Sequence, residues 1–110
     1  MVERSLVTTS FEFKGYRITD YRGIVKGITV RSRSVLGNIG AGFQAFFGGN
    51  ITLYQELCEK AREDAYQLMV RHAEEMGANA VIGMRYEANE LMSGITEVLC
   101  YGTAVNVSKE

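Results

Sequence analysis

The sequence predicts an α+β domain in which one long helix covers a mostly antiparallel sheet. Three patterns support this fold class: a helical apolar period in residues 50–76, a two-residue period in residues 16–33, and two alternating segments after the helix. The 110 residues make one domain, residues 1–110, which can bury a core without metal or disulfide staples.

The predicted order of elements is β–β–short α–α–β–β. Residues 5–10 are rich in β-branched side chains and predict a short first strand. A long second strand follows from Tyr16 to Arg33, with a bend or bulge at Gly23 or Gly27. Its two faces carry Ile24, Lys26, Ile28 and Val30 on one side and Val25, Gly27, Thr29 and Arg31 on the other.

Residues 35–49 predict a short helix, because large apolar residues recur there at helical spacing: Ile39, Phe43, Phe46 and Phe47. The helix from Asn50 to Met76 is the strongest pattern, with either Asn50 or Thr52 as its N-cap and Gly77 as its C′ residue. Its apolar stripe comprises Tyr54, Cys58, Ala61, Ala65, Leu68, Met69, Ala73 and Met76. The charged side chains on the opposite side are typical of a solvated helix face rather than of acid–base catalysis.

Two strands follow the long helix. Residues 78–88 alternate, which predicts Ala80, Ile82, Met84 and Tyr86 on one face, and residues 89–94 predict a turn or loop. The last strand, Ile95 to Val107, is apolar on both faces and should therefore be covered on both sides.

The number of apolar faces predicts self-assembly. One long helix covers one face of the sheet, and only the short phenylalanine-bearing segment is left to cover a little of the other. A second copy of the chain would cover the rest and would also protect a free strand edge. We therefore expect a homo-oligomer.

Charge and composition exclude several classes of protein. The net charge of −1 argues against nucleic-acid binding, which requires clustered lysine and arginine. No apolar segment reaches the roughly 20 residues of a membrane helix, so we expect no membrane partner. The N-terminus lacks the pattern of a signal peptide, so we expect a cytoplasmic protein with reduced cysteines.

The potential metal ligands are few. Cys58 and Cys100 form no CxxC motif, and each is expected to be a small buried apolar residue. Cys58 and His72 lie 14 residues apart on one helix, about 21 Å along its axis, and cannot share an ion within one subunit. The sequence thus predicts no metal site and no cofactor.

Several segments, in order, resemble the YbjQ-like family of small bacterial and archaeal proteins of unknown function. They span nearly the whole chain and comprise Thr8-Thr9, YRGIV at 21–25, Gly48-Gly49, Tyr54, Ala61-Arg62-Glu63, GANAVIG at 77–83 and YGTAV at 101–105. The resemblance implies a dodecin-subunit-like fold assembled as a homopentameric ring. It also brings the label "putative heavy-metal-binding domain".

Two positions depart from the family pattern. The family often places serine two residues after the Gly-Gly pair, where this chain has Ile51. Polar residues such as glutamate or glutamine are usual at the position of His72, so any metal role of His72 would be specific to this protein.

We predict a non-enzymatic homo-oligomer that binds a small ligand or ion. Gly48, Gly49 and Asn50 offer free N–H groups to an anion before the helix, although a tight turn between two helices is the simpler explanation of this sequence. Two alternatives remain: a structural or partner-binding oligomer without a ligand, and an enzyme whose site forms between subunits. The candidate ligand-binding residues are Gly48, Gly49, Asn50, Tyr54, Arg62 and Asn79.

Overall fold

The structure is a computed structural model that describes residues 2–32, 51–92 and 95–110. A 3-10 turn at Arg4–Leu6 is followed by strand β1 (Tyr16–Ser32), helix α1 (Ile51–Glu75), strand β2 (Ala80–Met92) and strand β3 (Ile95–Lys109). The predicted short helix at 35–49 lies outside the described residues.

The three strands form one antiparallel sheet in the order β1-β3-β2. The predicted α+β class is therefore confirmed, with β3 between its two neighbours. The predicted first strand at residues 5–10 is wrong: this segment contributes one parallel bridge, between Val7 and Val81. The predicted turn at 89–94 also begins too early, because β2 continues to Met92.

Helix α1 lies against one face of the sheet, which we call the helix-side face. Val25, Gly27 and Thr29 of β1 are buried beneath it. A Cβ atom at Gly27 would overlap the carbonyl oxygen of Ala65 and lie 2.5 Å from the nitrogen of Met69, so only glycine permits this approach. The helix ends as predicted, with Gly77 at a φ of +80°.

The simple alternation predicted for β2 is wrong, because a bulge interrupts it. The pairing register shifts between Ile82 and Arg85, and Gly83 has a φ of +62°. One extra residue reverses the side-chain direction beyond it. As a result Ile82 packs in a cluster with Val105, whereas Tyr86 pairs with Cys100 and lies on the helix-side face.

Among the residues that the structure describes, the opposite face, which we call the far face, is covered at one end only. Leu6 and Phe13 of the N-terminal segment pack there against a small cluster comprising Ala80, Ile82, Val105 and Val107. Thr8 holds this segment to β2 by donating its N–H to the Val81 oxygen and accepting the N–H of Met84, each at 3.0 Å. Beyond this end lies the open patch, which we define as Tyr21, Ile24, Ile28, Val30, Leu99 and Tyr101.

Candidate functional site

A cleft of about 190 Å³ lies between the first half of α1 and the adjoining ends of the strands. The small side chain of Ala61 and the ends of β1, β2 and β3 leave this space open. The walls are mainly apolar, which is typical of sites for small molecules. The lining residues are Arg31, Cys58, Ala61, Arg62, Ala88, Thr96 and Val98.

Two guanidinium groups enter the cleft from different elements. Arg31 of β1 donates to Asp64 of α1 at 3.0 Å, and Lys60 lies 3.5 Å from the same carboxylate. Arg62 of α1 lies over the ring of Tyr86, with 5.7 Å between its Cζ atom and the ring centroid. The cleft therefore carries positive charge on both its helix wall and its strand wall.

The two cysteines occupy different environments. Cys58 is exposed and lines the cleft, which contradicts the expectation that it is buried. Cys100 is fully buried, as predicted, and its Sγ lies 3.5 Å from the Sδ of Met69. Burial raises the pKa of the Cys100 thiol to about 11, because the surrounding core disfavours the thiolate.

The structure separates the predicted ligand-binding residues. Arg62 lines the cleft, but Asn79 does not. Asn79 lies beyond the end of α1, and about 20 Å of helix separates that end from Arg62. Asn79 donates its Nδ2 to the Val107 oxygen at 3.0 Å, and its Oδ1 accepts the Val107 N–H at 2.9 Å. The side-chain amide of Asn79 thus anchors the start of β2 to β3.

Four other predicted positions cannot be placed at the cleft. Gly48, Gly49 and Asn50 lie outside the described residues, and so does the side chain of Tyr54, although its backbone belongs to α1. Their ligand-binding role remains a prediction.

Sequence reasoning missed Arg31, Ala88 and Thr96 as lining residues. They come together because Arg31 pairs with Thr96 across β1 and β3, while Ala88 pairs with Val98 across β2 and β3. Those pairings depend on bulges in both outer strands. The pairing register of strands cannot be read from the types of their residues. The alternation of apolar residues was therefore the one sequence pattern indicating that these ends of β1, β2 and β3 lie near α1.

The described residues do not fit a metal site within one chain. In residues 2–32, 51–92 and 95–110 no group of three or more histidine, cysteine, aspartate or glutamate side chains can hold an ion. One ring nitrogen of His72 already has a hydrogen-bond partner, since its Nδ1 accepts the backbone N–H of Lys26 at 3.3 Å. It lies in an open groove beside β1, away from the cleft that Cys58 lines.

Comparison with known proteins identifies relatives along the whole chain. A family model described as "Putative heavy-metal-binding" matches residues 5–108. A "UPF0145 protein" of Solibacter usitatus is 58% identical over 107 residues, covering 97% of this chain and 96% of the relative. A protein with the same name from Paraburkholderia phymatum is 58% identical over 109 residues, covering 99% and 98%.

A solved structure has the same fold. It is a protein of unknown function from Pediococcus pentosaceus, assigned to the DUF74 family, with a TM-score of 0.60 and 18% identity. The match covers 93% of this chain and 96% of the other. Within the part of the chain that the structure describes, no helix is both long enough and apolar enough to span a bilayer.

Proposed function

The chain belongs to the YbjQ family of "putative heavy-metal-binding" proteins, and we propose that it is a homo-oligomer that binds a small ligand without catalysing a reaction. The cleft beside α1 is the proposed binding site, and the far face of the sheet is the proposed contact between copies. The mainly apolar cleft with guanidinium groups on two walls is the observation that carries this proposal.

The open patch supports assembly. In a single chain Ile24 is 75% exposed, Val30 is 53% exposed and Ile28 is 40% exposed, all on one side of one strand. Burying each large aliphatic side chain stabilises a complex by roughly 1.5–3 kcal/mol. Large exposed apolar side chains grouped on one face, here with Lys26 among them, indicate an interaction surface. We propose a second copy as the partner and a pentamer, implied by the family resemblance, as the assembly.

The distribution of reactive groups supports binding rather than catalysis. The exposed thiol of Cys58 and the imidazole of His72 lie on one helix, 14 residues apart, so they cannot act as a nucleophile and base within one chain. Arg62 and Asn79 are also too far apart to hold one substrate in the same subunit. An enzymatic site would require residues from two copies.

Native mass spectrometry of the purified protein tests both parts of the proposal. We expect a homo-oligomer with one small molecule per subunit, released when the protein is denatured. The variant Ala61→Phe should fill the cleft and lose the molecule while keeping the oligomer. A monomeric protein would contradict the proposed assembly. A protein that carries no small molecule and binds none from a metabolite mixture would contradict the proposed ligand binding.

A metal ion is the second candidate ligand, because the family description names it. We expect the combined substitutions Cys58→Ser, His72→Ala and Cys100→Ser to leave the assembly intact. Elemental analysis of protein purified without added metal measures the ion directly. A stoichiometric metal that disappears in the triple variant would replace our proposal with a metal-binding function.

A further inference from the structure

The charged groups in the cleft indicate which ligand it selects. Of the seven described residues that line it, the two that carry charge at neutral pH are both arginines. Arg31 approaches from β1 and Arg62 from α1, so the positive charges lie on different walls. Ala61, Ala88 and Val98 supply the apolar surface between them.

We propose that the cleft binds a small monocarboxylate with an apolar body, of about the size of benzoate. This inference rests on the proposed ligand-binding function and names the chemical class of the ligand. The carboxylate is held by guanidinium N–H groups, and the hydrocarbon part packs against the apolar walls.

Arg62 is the main anchor for the carboxylate. Arg31 already pairs with Asp64, which offsets much of its charge. The Cζ atom of Arg62 lies 5.7 Å from the centroid of the Tyr86 ring, within the range of a cation–π contact. A guanidinium at this distance from a ring keeps N–H groups that can bind a carboxylate in bidentate geometry.

The volume of the cleft limits the ligand. A space of about 190 Å³ is smaller than the roughly 300–1,000 Å³ that is typical of pockets for drug-sized ligands. A molecule of about the size of benzoate is therefore a better match for this cleft than a nucleotide. The ligand therefore carries one anionic group and a short apolar body.

Cys58 provides a direct readout of occupancy, because its exposed thiol lines the same cleft. The experiment measures the rate at which iodoacetamide alkylates Cys58 in the full-length protein, stripped of any co-purified molecule, with increasing benzoate. Benzyl alcohol and benzylamine serve as neutral and cationic probes of similar shape. Cys100 is buried and should stay unmodified, which verifies in the same sample that the protein is folded.

We expect benzoate to slow the alkylation of Cys58 in a saturable manner and the other two probes to protect far less. Arg62→Gln should weaken benzoate binding about tenfold, which corresponds to roughly 1.4 kcal/mol. Arg71→Gln is the matched control, because Arg71 is an exposed arginine of the same helix that lines the other groove. It should leave benzoate binding unchanged.

Three results would overturn the inference and leave the proposed function standing. Equal protection by benzyl alcohol would show a site selective for shape alone, and stronger protection by benzylamine would show a cation site. If no probe protects Cys58, the carboxylate inference fails. Native mass spectrometry then decides the proposed function separately, because a molecule lost in Ala61→Phe would still place a ligand in the cleft.

Discussion

The two faces of the sheet are built from the same three strands but meet different surroundings. On the helix-side face, small residues such as Gly27, Ala65 and Ala73 let α1 approach closely, and all three are buried. On the far face, Ile24 and Val30 are large, apolar and exposed. Packing among the described residues therefore completes only the helix-side face, and our proposal assigns the far face to a second copy of the chain.

The strongest test of this contrast places a charge on the far face. Ile24→Asp should dissociate the oligomer, because an unpaired charge buried between copies costs about 3–5 kcal/mol. The stability of the separated chain should change little, since Ile24 is 75% exposed there. Light scattering measures the mass, with Arg17→Asp as the control at an exposed position of the same strand. An oligomer that tolerates Ile24→Asp would show that this residue faces solvent.

A matching test disturbs the helix-side face. Gly27→Ala introduces a Cβ atom that overlaps the Ala65 oxygen and lies 2.8 Å from the Cβ of Leu68, so we expect a loss of about 3 kcal/mol in unfolding free energy. Arg17→Ala is the control, because Arg17 is an exposed residue of the same strand outside the open patch and its loss should change stability by less than about 0.5 kcal/mol. Urea unfolding compares the two variants, and equal stability would refute the close contact.

The buried thiol on the helix-side face predicts a dependence on pH. Burial raises the pKa of Cys100 from its usual 9.0 to about 11, so the folded state favours the protonated thiol. Its contribution to stability is complete below pH 9 and is lost as the pH rises through about 11. Burial raises the pKa values of Tyr66 and Tyr86 as well, so these two residues add to the loss of stability at high pH.

We therefore expect Cys100→Ala to lose less stability than the parent protein between pH 8 and pH 11. Cys58→Ala should behave like the parent, since Cys58 is exposed. Urea unfolding at both pH values measures the change. An identical loss of stability between pH 8 and pH 11 in all three proteins would mean that the Cys100 thiol does not contribute to the pH dependence of stability.

The smallest predicted effect concerns the ion pair at the edge of the cleft. Asp64→Asn removes the carboxylate that pairs with Arg31 and Lys60. All three side chains are partly exposed, so the change should lower the unfolding free energy by only about 0.2–1 kcal/mol. The same change should strengthen benzoate binding, because the charge of Arg31 is no longer offset. Titration calorimetry compares the affinities, and weaker binding by Asp64→Asn would contradict the role given to the positive charge.

The sequence predicted the parts of the fold that have a regular period. The end of α1 at Gly77, the two faces of β1 from Ile24 onward and the middle of the α1 stripe follow from apolar spacing and are confirmed; the buried stripe residues are Ala61, Ala65, Met69 and Ala73. Two other predicted members of the stripe, Cys58 and Leu68, are exposed. The bulge at Gly83 was missed, because one inserted residue leaves the composition of a strand unchanged. The N-terminal segment was also misassigned, since β-branched residues fit a strand and a covering loop equally well.

The candidate site was less predictable than the fold. Arg62 was found through its place in the Ala-Arg-Glu segment of the family pattern, whereas Arg31 reaches the cleft only through the register of β1 with β3. The cleft depends on long-range strand pairing and on the small size of Ala61. An alanine in a helix does not by itself indicate a binding site in the sequence. Local patterns therefore predict the framework better than the space it encloses.

The mass of the protein in solution shows directly whether copies of the chain associate. Light scattering coupled to size-exclusion chromatography at micromolar concentration measures it without any variant. We expect a multiple of 12.2 kDa, and the family resemblance implies five copies. A mass of 12.2 kDa would show that the open patch stays exposed to water, contradicting the claim that a second copy completes the far face.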